Sequence, residues 1–207
     1  MTANRRLTAA AGAALLAAIA AELATLANLR ALLSVHVFVG VLMAGPLAVK
    51  LGSTGWRFVR YHAGSPAHVR EGPPRLALRM LAPLLVASTL AVVGTGFALV
   101  VTGPAQPGPF VALHVISFLV WMPTIAIHLL AHIRQVPRMV AKRLTPTGVT
   151  LGALAAATVA ALLLSPAAAP WTSWMDAGHG PGGAFIVVGL VVAALGLLAA
   201  LPLKLGR

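Results

Sequence analysis

Six long apolar runs separated by short connections constrain this chain more than any motif in it. They are about Leu7–Ala27, Ala31–Leu51, Leu76–Val101, Phe110–Ile133, Thr147–Leu164 and Gly183–Leu203. A helix of about 20 apolar residues crosses the hydrocarbon core of a bilayer, and the six runs are near that length. In lipid every backbone N–H and C=O must find its partner inside the protein, which a single run achieves only as a helix. The fold class expected is therefore all-α: an integral membrane helical bundle of six transmembrane helices, with 1–207 forming one domain. Composition agrees, since 59% of the 207 residues are hydrophobic and 9% charged. Glu22, Glu71 and Asp176 are the only acids. The lack of cysteine excludes disulfides, thiolate metal sites and an iron–sulfur cluster held by this chain. With no glycine-rich nucleotide fingerprint and no sizeable soluble region, any nucleotide or flavin chemistry would have to come from a partner.

The net charge of +12 could point to nucleic acid, but its distribution points to the bilayer. Arg5 and Arg6 precede the first run. Lys50, Arg57, Arg60, Arg70, Arg75 and Arg79 mark the second connection, Arg134, Arg138, Lys142 and Arg143 the fourth, and Lys204 and Arg207 the C-terminal tail. Arg30 alone lies in the first connection, and the third and fifth have no Lys or Arg. Basic residues on alternate connections are the positive-inside pattern. Both termini are thus expected in the cytoplasm, in a multi-pass protein of the inner (plasma) membrane whose partner is lipid and not nucleic acid. The first run has a competing reading as a cleaved signal peptide. Its length and the interruption at Glu22 favour a retained first helix.

The longest connection, about 53–75, mixes Trp56, Phe58 and Tyr61 with Arg57 and Arg60. It reads as a short helix lying in the cytoplasmic interface, followed by an irregular, proline-rich stretch. Trp171 and Trp174 in the fifth connection read as outer belt residues, next to a flexible Gly–Pro run. Gly148 and Gly152, and Gly94 and Gly96, are spaced for close helix packing.

Histidine carries the functional signal, because ionisable residues at membrane depth are rare and point to function. The run Phe110–Ile133 holds His114, His128 and His132. At about 100° per residue, His128 falls within about 40° of His114 and His132 falls almost in line, so the three share one stripe. Trp121 shares that side and is expected to pack against whatever fills the bundle. His36 lies about one and a half turns into the second run from the outside, and His114 about one turn into the fourth. Depth-matched imidazoles on two helices of like direction can point at one iron between them, as neutral imidazole does in haem proteins. Gly40, one turn below His36, leaves room for a flat macrocycle. Interhelical polar packing is the plainer reading of the same residues.

The pattern of His36 on one helix and His114-x13-His128 on another, over about 32–133, resembles bacterial membrane cytochrome b proteins. These include ferric-reductase-like transmembrane domains and the haem-binding membrane anchors of periplasmic redox enzymes. The resemblance implies a haem-binding core over 31–133, with His36, His114 and His128 as cofactor-binding residues. It implies haem b, one group at His36 and His114 and a second left open at His128. The departure is at the position fourteen residues after His36, where a second ligand would stand and Lys50 stands instead. Lys50 is expected to snorkel to the cytoplasmic surface. His128 and His132, four apart, cannot take opposite faces of one haem but could join a metal site with further ligands. The function expected is a transmembrane electron carrier, serving as a subunit for a redox partner protein or quinone, since no set of catalytic acids, bases or nucleophiles is visible. The alternative is a haem-free membrane protein, a transporter or assembly factor, using the stripe for metal binding or polar packing.

Overall fold

The computed structural model describes residues 3–69, 76–132, 147–179 and 184–200. Among them the chain is helix and turn, with no strand. The helices are α1 (Ala3–Thr25), α2 (Leu33–His62), the single turn α3 (Pro66–Val69), α4 (Leu76–Thr102), α5 (Phe110–His132), α6 (Gly148–Leu164), α7 (Ala168–Trp174) and α8 (Ala184–Ala200). Five runs are long and apolar enough to cross a membrane, the fifth being Gly148–His179, which takes in α6 and α7. The sixth apolar segment is α8, 17 residues long; positions 201–203 of that run lie outside the described residues. The protein is an all-α, multi-pass membrane bundle, as the hydropathy requires. Large apolar side chains such as Leu76, Met80, Val101 and Leu163 face outward, each 70% exposed or more. That arrangement is costly in water and favourable in lipid.

The helices pack as two triplets. In one, α2 lies between α1 and α6; in the other, α5 lies between α4 and α8. The triplets touch more lightly, through α2 and α4, and are joined by a core in which Ile19 and Leu23 of α1 meet Trp121 of α5. Side-chain contacts confirm the alternation of ends. Arg30 pairs with Asp176, and the Trp171 indole donates to Leu99 O at 3.2 Å, so the first and fifth connections and the C-terminal end of α4 share one end. At the other end Thr8 donates to Ser53 at 2.9 Å, and Lys50 donates to Thr8 O at 3.2 Å. The basic residues of the second connection follow Lys50, and this second end is called inner below.

Four expectations are corrected in detail. The aromatic–basic stretch after Gly52 is not a separate helix but the last turns of α2, which runs unbroken for 30 residues. At 1.5 Å per residue that is about 45 Å, well over the hydrocarbon thickness. Gly52 and Gly55 cost propensity without breaking the helix, and Arg60 stacks over Trp56 one turn away. The helix ends where Gly64 takes a φ of 72°, a conformation that glycine adopts without strain. Second, Gly148 and Gly152 meet nothing within 4 Å; the close approach is made by Gly45 of α2, whose added Cβ would fall 2.8 Å from Ala157 of α6. A G-x-x-x-G spacing marks a smooth stripe but not which way the helix is turned. Third, Ser165–His179 is helical, with a 3₁₀ turn, α7 and a π turn, and Trp171 is buried rather than at an interface. The Gly–Pro residues at 180–183 lie outside the described residues, as do 133–146 with the basic residues of the fourth connection. Fourth, Lys50 does not snorkel outward but bonds to α1, in the notch left by Gly12.

Candidate functional site

The central helices of the two triplets each bring one histidine to the outer end of the space between them. His36 of α2 and His114 of α5 stand with ring centres 6.4 Å apart and planes at 89°. Each is held from behind by a threonine of the neighbouring helix in its own triplet. Thr25 Oγ1 lies 2.9 Å from His36 Nδ1, and Thr95 Oγ1 lies 3.0 Å from His114 Nδ1.

Each hydroxyl has a second partner: Thr25 donates to Glu22 O at 2.6 Å, and Thr95 donates to Ala91 O at 2.6 Å. A hydroxyl whose one proton stays on that carbonyl accepts from the imidazole. In that arrangement each histidine carries its proton on Nδ1 and keeps a lone pair on Nε2. This is the arrangement in which a second partner orients a ligating imidazole and fixes its tautomer. The same construction appears twice, from unrelated stretches of sequence.

Both rings line one cavity of about 210 Å³. A single water needs about 10–15 Å³ on the same measure, so the space is far larger than a hydration site. Its wall is almost wholly apolar, from Val37 and Val41 of α2, Val93 and Phe97 of α4, and Phe118 and Trp121 of α5. Trp171, Trp174 and Met175 complete the wall. Gly96 keeps the cavity open beside His114, since an added Cβ would stand 3.3 Å from its Cε1. Gly40 gives way on the other side to Glu22, whose Oε1 would stand 3.2 Å from such a Cβ. Glu22 Oε1 also lies 3.3 Å from His36 Nδ1. Below the cavity, Trp121 donates to Thr89 Oγ1 at 3.1 Å. An apolar chamber with an imidazole of a different helix on each side suits a flat apolar ligand with an electrophilic centre.

The inner end is built differently. His128 and His132 stack on each other, ring centres 4.5 Å apart, and His132 Nδ1 donates to His128 O at 2.9 Å. No third ligand joins them: among the described residues no group of three or more His, Cys, Asp and Glu comes together. Of the histidines on the stripe, then, only His114 meets an imidazole of another helix. His62 bonds Phe58 O within α2 and His179 bonds Trp174 O, each close to its own place in the chain. Sequence reasoning found both histidines of the outer pair but missed Thr25, Thr95 and Trp171. Depth matching, applied to the polar residues of every run, would have found Thr95. No known family model matches the chain, and no characterised protein or solved structure is similar enough to count as a match.

Proposed function

We propose that this protein is a transmembrane electron carrier of the bacterial membrane cytochrome b type, holding one b-type haem between His36 and His114. The observation that carries this reading is the pair of imidazoles from two helices across one apolar cavity, each with a threonine hydroxyl beside its Nδ1. A metal–imidazole bond of about 2 Å on each side, plus about 1 Å from each nitrogen to its ring centre, spans about 6 Å. The observed 6.4 Å fits that span. Two ligands are too few for a metal ion held by protein alone but are the number a haem iron needs beyond its macrocycle. A bound haem would supply a one-electron couple, with the potential set by its ligands and surroundings.

The chain's own residues do the rest. Thr25 and Thr95 orient the two imidazoles. Val93, Phe97 and Phe118 exclude water from the space between the rings, and Gly96 leaves clearance for a planar group. Placed at the outer end of the bundle, the site serves a redox partner protein outside the membrane or a quinone within it. The protein acts as a subunit in an inner (plasma) membrane.

The test is a reduced-minus-oxidised spectrum of the protein purified from haem-sufficient cells. A b-type α-band that persists in the His68→Ala variant and disappears in His114→Ala is expected. A wild-type protein with no such band would falsify the reading.

A further inference from the structure

Glu22 is the one feature of the outer site without a counterpart in the other half. His36 and His114 each have a threonine hydroxyl beside Nδ1, but only His36 has a carboxyl group as well. Glu22 Oε1 approaches His36 Nδ1 to 3.3 Å, while Oε2 is buried with no hydrogen-bond partner. Both side chains are only 20% exposed. Arg30 and Asp176, the other charged pair at this end, bond to each other and not to Glu22. A buried carboxyl oxygen left unpartnered is costly, and at membrane depth more so. Packing gives no reason for it, since an apolar side chain would fill the same place beside Gly40. Something on the far side of the His36 ring has to make the carboxyl group favourable.

We infer that Glu22 is a positioning residue that makes His36 the stronger of two unequal iron ligands and so sets the redox potential of the site. The inference rests on the haem reading above. A carboxyl oxygen that shares the Nδ1–H draws its proton, increases electron density at Nε2 and strengthens the bond from Nε2 to a metal. The effect is larger for the more positive metal ion, so the oxidised state gains more than the reduced one and the potential falls. His114 has no carboxyl group behind it and so no such reinforcement. Thr25 and Glu22 share one N–H, so removing either throws the bond onto the other.

The experiment is a redox titration, followed in the α-band, of purified wild-type, Glu22→Gln and Glu22→Asp proteins whose haem content has first been measured. Glu22→Gln is expected to keep its haem and to shift the midpoint potential upward. Glu22→Asp, with the same carboxyl group one methylene shorter, should shift it in the same direction by less. Thr25→Val, which leaves the N–H to Glu22 alone, should shift it downward. If Glu22→Gln fails to accumulate, the Asp and Val variants carry the same test through their opposite signs. A haem-loaded Glu22→Gln protein with an unchanged or lowered potential overturns the inference and leaves the haem reading standing. A wild-type protein without haem ends both, and the haem assay separates the two failures before any titration.

Discussion

The two ends of α5 began with the same chemistry and were built into different things. At the outer end His114 faces a histidine of another helix, across an apolar cavity, with Thr95 Oγ1 3.0 Å from its Nδ1. At the inner end His128 faces its own neighbour His132 on the same helix, and Lys50, fourteen residues beyond His36, bonds to Thr8 O of α1. A histidine at membrane depth is therefore not in itself a ligand. In the proposed reading it becomes one when a second helix supplies the opposing group, a third supplies a partner for its other nitrogen, and small residues keep the space between clear. Among the described residues only the outer end has all three.

Substitutions that treat the two ends alike test this contrast most severely. His36→Ala and His114→Ala should each abolish haem binding, read as haem per protein by pyridine haemochrome, while His128→Ala and His132→Ala should retain about one haem per chain. Loss of haem in the His128 variant would show that the inner end holds a cofactor and that the two ends are alike. Next in size is Gly96→Leu, which fills the clearance beside His114 and should prevent haem uptake while helical circular dichroism is kept. Gly152→Leu, at a glycine that meets nothing within 4 Å, is the matched control and should leave uptake unchanged.

Much of this arrangement was legible before any coordinates. The six runs and the alternating basic connections demanded a membrane bundle, and helical geometry placed His36 and His114 at one depth. The rest depended on how each helix is rotated and on contacts between distant residues. Thr25 lies beyond a helix break from His36, and Thr95 reaches His114 across the turn between α4 and α5, so neither pairing follows a helical repeat. Gly148 and Gly152 had the right spacing but the wrong rotation, whereas Gly45 made the close approach with no motif around it. Trp171 has the composition of an interface residue but is drawn inward, where its N–H finds the carbonyl of Leu99, an acceptor it shares with the Gly103 N–H.

The smaller effects sharpen the outer site. Thr95→Val removes the hydroxyl partner of His114 Nδ1 and should weaken haem retention roughly 10- to 100-fold, the usual cost of losing a partner behind a ligating histidine; transfer of haem to an apoprotein acceptor would measure it. Thr124→Val, which breaks a bond lower in the bundle at Trp121 O, should leave retention unchanged. Trp171→Phe should be the mildest, costing about 0.5–1.5 kcal/mol in thermal unfolding in detergent, with the spectrum preserved. A collapse of the α-band in that variant would make the outer cover part of the site rather than its wall.

The most direct measurement is low-temperature electron paramagnetic resonance of the oxidised protein at known haem content. Two neutral imidazoles with planes 89° apart predict one ferric low-spin centre per chain, with the strongly anisotropic signal that crossed axial rings produce. A high-spin signal, or the rhombic low-spin signal of parallel rings, would contradict the pairing of His36 with His114 across the outer cavity.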